Sequence, residues 1–251
     1  MFRIRPAVLA ATVVALAALS PAVPNPAQAQ SVPAEQRQAI EQVVRDYLLK
    51  HPEVIVEAIE ELQKRERADE ERKAKQGLAQ NKAKLFSDPA SPVAGNPNGD
   101  VTLVEFFDYQ CGYCKSVLSD VQRLIKDDGK LKFVFKELPI LGPASVTAAK
   151  AALASRGQGK YEAFHNALMS HRGPLDEATI LKVATSVGLD TDRLRKDMES
   201  PEVQQAIGAN LALAEQLGIR GTPGFVVGER VVPGAIKLDD MKKLVAEARK
   251  G

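Results

Sequence analysis

Two cysteines are all this 251-residue chain has, and they stand together as Cys111-Gly112-Tyr113-Cys114. That scarcity excludes a disulfide-stapled framework. A structural bridge stabilises mainly by closing a long loop, and one spanning two intervening residues closes almost nothing. There is no second cysteine pair, and His51, His165 and His171 form no paired motif, so the two further ligands of a structural zinc site are hard to supply. No histidine follows Cys114, since residue 115 is lysine, which removes covalent haem attachment. A charge excess is missing too. With 34 basic and 32 acidic residues, the chain has no global electrostatic claim on nucleic acid or on an acidic membrane surface. Internal repeats are absent, as are membrane-length apolar runs beyond the N-terminus.

That N-terminus carries an export pattern. Arg3 and Arg5 form a basic region, Ala7 to Leu19 is apolar and uncharged, and Ala27-Gln28-Ala29 offers small residues for cleavage. The apolar run falls short of the ~20 residues that span a bilayer. A signal peptide over residues 1–29 is therefore expected, with no cysteine nearby to suggest a lipoprotein. The remaining 222 residues suffice for one large domain, or a domain plus an appendage.

From Pro33 to Lys84 the pattern is helical. Ile40, Val43, Val44, Tyr47 and Leu48 recur at three- and four-residue steps. His51-Pro52 interrupts the run, and Val54, Ile55, Ala58, Ile59 and Leu62 begin a second stripe. Glu57 to Lys75 is dominated by Glu, Lys and Arg, which reads as solvent-exposed helix. Ser87 to Asp100, rich in Pro, Gly and Asn, reads as a linker. Val101 to Phe107 is a strand by its β-branched and aromatic content, an amphipathic run follows the cysteines, and Leu131 to Phe135 is a second strand. That is a βαβ unit. Pro143 to Leu217 is mostly helical, with segments at 146–154, 161–169, 177–187 and 201–217. A hairpin turns at Gly228-Glu229, and a closing helix spans 238–250.

The cysteine motif falls where a strand ends and a helix begins. Unpaired N–H groups and the helix dipole there favour a thiolate at Cys111, and Cys114 lies one turn away on the same face. An exposed low-pKa sulfur with a resolving sulfur beside it is what two-step thiol-disulfide exchange needs. Two thiolates could also bind Cu(I), and spacing alone leaves that reading open.

Glu105-Phe106-Phe107 followed by Cys111-Gly112-Tyr113-Cys114 resembles the DsbA-type branch of the thioredoxin superfamily. The helical block 143–217 resembles that branch's insertion, and Gly221-Thr222-Pro223 its threonine and cis-proline signature. Phe135 to Pro143 and Tyr161 to Met169 also read like family segments, so the likeness covers about Val93 to Lys250. It implies an α/β thioredoxin fold with a helical insertion over residues 87–251, preceded by an N-terminal helical arm over 30–86. Such an arm is similar to the oligomerising stalks of ScsC-type proteins.

The resemblance also implies roles. Cys111 attacks, Cys114 resolves, and Glu105 moves the resolving cysteine's proton, with Lys136 a candidate to neutralise Glu105. Gly112, Tyr113, Thr222 and Pro223 meet substrate, with Pro223 in cis. Tyr109 is a further candidate for the substrate surface, and His165 reads as a packed helix residue. Gly112-Tyr113 departs from the Pro-His pair of strong oxidases, so an extremely low thiolate pKa is not expected. The implied partners are exported proteins with cysteines, a membrane redox partner that resets the pair, and other copies of this chain. No nucleic acid, metal or cofactor is expected, and the expected location is the periplasm. The rival from another class is a periplasmic copper-binding or chaperone module using the same cysteines.

Overall fold

The structure is a computed structural model that describes residues 33–250. The expected signal peptide at 1–29 lies outside the described residues. The chain divides into two units whose boundary in sequence falls between Ile59 and Glu60.

Among the described residues, the first unit holds α1 (Ala34–Lys50) and the opening of α2 (Glu53–Phe86). The residue before Pro52 cannot stay helical, and His51 accordingly ends α1 with φ −130° and ψ 62°. No residue of α1 is buried. Ile40, Val43, Val44, Tyr47 and Leu49 are exposed, as are Ile55, Val56 and Ile59 on α2.

The second unit is built on a five-stranded sheet of order β1-β3-β2-β4-β5. Its strands are β1 (Val93–Gly95), β2 (Val101–Phe107), β3 (Leu131–Glu137), β4 (Gly224–Val227) and β5 (Arg230–Pro233). β2 and β3 are parallel, joined through α3 (Gly112–Asp127), while the other pairings are antiparallel. The βαβ reading holds, because β2 and β3 are apolar on both faces and both faces are covered. Alternation decides what each face receives. Leu103, Phe107, Phe133 and Phe135 join the core that also holds Val117, Val121 and Leu124 of α3 and Met241 and Val245 of α9 (Leu238–Ala248). Val104, Phe106 and Val134 face the other way.

Between β3 and β4 lies the expected helical insertion. It comprises α4 (Pro143–Ala154), a 3-10 turn at Ser155–Gln158, α5 (Tyr161–Ser170), α6 (Glu177–Ser186), α7 (Thr191–Met198) and α8 (Pro201–Gln216). Two elements escaped the sequence reading. β1 lies inside the expected linker; it is three residues long, only Ala94 of it is buried, and it forms by adding to the free edge of β3. α7 has an Asp190 cap but buries only Leu194 and Met198, too few apolar positions for a periodic stripe.

The far end of α2 belongs to the second unit. Leu78 and Leu85 pack with Val104, Phe106, Leu213 and Val226. Gly77 permits that approach, since a Cβ there would lie 2.3 Å from the Gln216 carbonyl oxygen. Asn81, at a non-helical φ of −115°, donates to Gly77 O and to Gln216 Oε1, both at 2.9 Å, and ties the kink down.

Candidate active site

Cys111 is the N-cap of α3. Its sulfur takes the place that Ser or Asp oxygens usually hold, accepting the Cys114 N–H at 3.3 Å. No acidic residue occupies the first turn of α3, so the amide dipoles there are left to the sulfur. Across from it, the Cys111 thiol donates to Thr222 O at 3.2 Å, and the Thr222–Pro223 bond is cis, as the resemblance implies. Cys111, Cys114, Thr222 and Pro223 are thus brought together from two ends of the sequence. Both cysteines are unbridged thiols. Gly112 and Tyr113 open α3 beyond the sulfur, and Tyr113 is 72% exposed.

The two sulfurs are unlike. The hydrogen bond from the Cys114 thiol, aided by the Thr222 side chain and the N–H groups of Cys114 and Tyr113, outweighs burial and brings Cys111 down to about 6. The same bond works in reverse on Cys114: the Cys111 sulfur, burial and the Glu105 carboxyl push its pKa far up. One sulfur is a thiolate near neutral pH and the other is a held thiol.

Glu105 is 4% exposed, and burial, then the charge on Cys111, raise it to about 8. The sequence reading offered Lys136 as its neutralising partner, and the structure corrects that. Glu105 pairs in register with Phe135, so Lys136 projects from the opposite face, where its Nζ meets Asp88 at 2.9 Å. Glu105 therefore lacks Lys136 and is held mainly neutral at pH 7. Replacing it with glutamine is expected to stabilise the protein above pH 5. In the unfolded chain Glu105 ionises near 4.5, while the folded form holds its proton to about 8, so folding loses stability as pH rises between those values. The gain in Glu105→Gln should reach up to ~3 kcal/mol at pH 7 and vanish at pH 4. Denaturant titrations at both pH values check it.

Tyr109 also needs correction. It was a candidate for the substrate surface, but it is 1% exposed, with its ring against Phe107 and His165. His165 is a packed helix residue, buried and held down to about 3 by that burial.

Two carboxylates that matter to this loop were missed. Asp108 Oδ1 accepts Gln110 N–H at 2.8 Å, and Oδ2 accepts the N–H groups of Ile140 and Leu141 at 2.9 and 3.0 Å. Its carbonyl accepts Cys111 N–H at 3.0 Å. An Asp whose carboxylate accepts the backbone N–H two residues on makes an Asx turn, so Asp108 is findable from sequence. Glu137, the last residue of β3, was findable only as a charge closing an apolar strand.

The family model described as the DSBA-like thioredoxin domain matches residues 102–246, and that of the copper resistance protein ScsC N-terminal domain matches 36–69. Among solved structures, a thioredoxin-like oxidoreductase from Silicibacter pomeroyi is 51% identical, covering 68% of this chain and 99% of its own, with a TM-score of 0.67. Proteus mirabilis ScsC in a transitional conformation is 32% identical over 87% of this chain and 99% of its own, with a TM-score of 0.65. A curated relative, the Na(+)/H(+) antiporter NhaA 1 of Salinispora arenicola, is 30% identical over 161 residues, which is 63% of this chain and 25% of that protein. The chain spans about a quarter of the length of the first curated relatives it matches.

Proposed function

The chain belongs to the DsbA-like thioredoxin family, and from that premise we propose that it is a periplasmic enzyme that forms or isomerises disulfides in other exported proteins. The observation that carries this reading is the asymmetry of the two sulfurs, Cys111 near 6 and Cys114 pushed far up.

The geometry supports a two-step exchange. The Cys111 thiolate attacks a substrate disulfide, forms a mixed disulfide, and expels one substrate thiolate. Cys111 then no longer carries charge. Its charge is one cause of the raised Glu105, and its sulfur is the main cause of the raised Cys114, so both values fall together. Glu105 gives up its proton more readily beside a thiol that has become easier to ionise, and in its ionised form it can take the Cys114 proton. Cys114 attacks Cys111, the internal disulfide closes, and the second substrate thiolate leaves. When the enzyme starts oxidised the same steps run backwards and oxidise the substrate. A groove of about 1440 Å³, lined by Arg220, Thr222, Pro223 and Val231 and by Glu66 and Glu70 of α2, gives an extended substrate chain room to lie along Thr222.

In this reading residues 1–29 are the signal and 87–251 the catalytic domain, while the oligomerisation arm expected over 30–86 is confined to its N-terminal part, because Leu78 and Leu85 pack with the core of the second unit. The N-terminal pattern of basic, apolar and small residues supports export. The exposed stripe of α1 supports the arm, because contiguous exposed apolar surface marks an interaction site. Catalytic domains joined through such arms engage one misfolded substrate at several points, which favours reshuffling over simple oxidation. Gly112-Tyr113, with no histidine between the cysteines, points the same way. The copper reading gains nothing from the match at 36–69, since that segment holds one histidine, no cysteine and no methionine.

The test is recovery of active ribonuclease from its scrambled form by the reduced protein, alongside insulin reduction and the potential of the cysteine pair. A protein that does neither reaction overturns the reading. For the arm, light scattering of the full-length protein is expected to give several times the mass of one chain. The double variant Ile40→Glu/Val44→Glu should fall to a single chain and keep insulin reduction. A wild type that is already one chain removes the oligomer.

A further inference from the structure

Behind the loop that carries Cys111, four side chains make a buried polar cluster that the exchange chemistry does not use. The Tyr109 and Tyr161 hydroxyls both donate to Glu137 Oε1, at 3.1 and 2.7 Å. His165 Nδ1 lies 3.1 Å from the Tyr109 hydroxyl. Tyr109 spends its one proton on Glu137, so the neutral imidazole donates from Nδ1 to the Tyr109 oxygen. Glu137 is fully buried, its backbone carbonyl accepts Asn210 Nδ2 at 3.1 Å, and its second carboxyl oxygen, Oε2, has no partner.

That arrangement is a poor way to stabilise a core. A buried polar atom without a partner costs about 1–3 kcal/mol, and an apolar residue would avoid the cost. Burial also raises Glu137 well above the usual carboxylate range, with the nearby Asp108 and Glu105 carboxyls adding to the shift. What the cluster does provide is a fixed acceptor at one point, Oε1. Two tyrosines use it, and they differ in where they come from. Tyr161 opens α5 in the helical insertion. Tyr109 stands two residues before Cys111, in a turn outside the sheet ladder, which ends at the Phe107–Glu137 rung. Glu137 therefore sits at the last point where β3 can hold the chain before it leaves for Cys111.

We propose that Glu137 is a positioning residue of the exchange centre, acting through the Tyr109 hydroxyl to fix the turn that sets Cys111 against Cys114 N and Thr222 O. Asp108 anchors the same turn through its carboxylate, which accepts the Ile140 and Leu141 N–H groups, and Glu137 anchors it through the Tyr109 hydroxyl. The chemistry needed of Glu137 is one acceptor oxygen, with no charge transferred to the sulfur. The inference rests on the exchange reading above.

The two tyrosines give the test, because both bond the same oxygen but only one belongs to the Cys111 turn. The full-length reduced protein is titrated for its thiolate by absorbance near 240 nm, and its rate with a small aromatic disulfide is measured, with thermal midpoints recorded alongside. Tyr109→Phe is expected to slow the reaction roughly tenfold, since a reacting group displaced by a fraction of an ångström loses alignment, and to move the Cys111 midpoint upward. Tyr161→Phe is expected to lower the thermal midpoint similarly, while leaving rate and thiolate midpoint within about twofold of wild type. Glu137→Gln, which keeps an acceptor oxygen, should behave as wild type in rate. Glu137→Leu should behave as Tyr109→Phe. Equal effects of the two tyrosine variants on the rate, or a folded Glu137→Leu with an unchanged thiolate titration, would overturn the inference. A wild-type protein with no reactive thiolate would instead overturn the exchange reading, and the two failures are told apart in the same experiment.

Discussion

In Cys111→Ser, insulin reduction and ribonuclease rescue fall to background, a loss of at least about a thousandfold. The residue is irreplaceable for a reason the geometry supplies. It is the cysteine brought down to about 6, while Cys114 is 1% exposed and pushed far up, so no second thiolate stands ready. The wild type carries a matching pH signature. Only the thiolate attacks, so the rate of alkylation of Cys111 should fall as pH drops through about 6 and level off above it. The reduced protein's stability follows the same group. A depressed folded pKa contributes stability that is complete above the free thiol's value of 9.0, shrinks as pH falls, and is gone below about 6. Cys111→Ser should lose that pH dependence together with activity. Full activity in this variant would remove the enzyme reading altogether.

Removal of the second sulfur has an equally large effect of a different kind. In Cys114→Ala, attack by Cys111 proceeds but the mixed disulfide has no internal way out. Turnover should stop at one event per molecule, and the adduct should appear as a stoichiometric mass increase on non-reducing analysis without small thiols. The variant also separates two roles of Cys114. Its thiol hydrogen bond is the first cause of the low Cys111 pKa, so Cys114→Ala should raise the Cys111 midpoint from about 6, whereas Cys114→Ser, which keeps a donor, should hold it lower. Repeated turnover by Cys114→Ala would mean that resolution comes from elsewhere.

Much of this is legible in the sequence. Val101 to Phe107 reads as a strand because most of its residues are β-branched or aromatic, and the amphipathic stripe through Val117, Val121 and Leu124 reads as a helix. Tyr113 stays at the surface beside the sulfur, where it was expected. What failed has a common cause. β1 exists because β3 offers it an edge, and α7 because neighbouring helices cover Leu194 and Met198. Neither carries enough apolar pattern of its own. Tyr109 looked like a surface aromatic because nothing in the sequence shows that α5 lies over it. Lys136 is offered as a partner for Glu105 by the family resemblance alone. Register decided otherwise, since a shift of one residue sends a side chain to the opposite face.

The sequence by itself determined the pair of sulfurs, their three-residue spacing and the strand-to-helix junction that holds them, because local propensity and the helix terminus act over a few residues. Only the tertiary structure decided how far the two sulfurs differ. The Thr222 side chain that helps lower Cys111 arrives from 111 residues away, and Glu105 is held neutral by the layers packed over it. The bond from Cys114 that makes Cys111 the nucleophile acts across three residues, but the burial and the Glu105 carboxyl that help keep Cys114 in reserve are properties that no stretch of sequence contains.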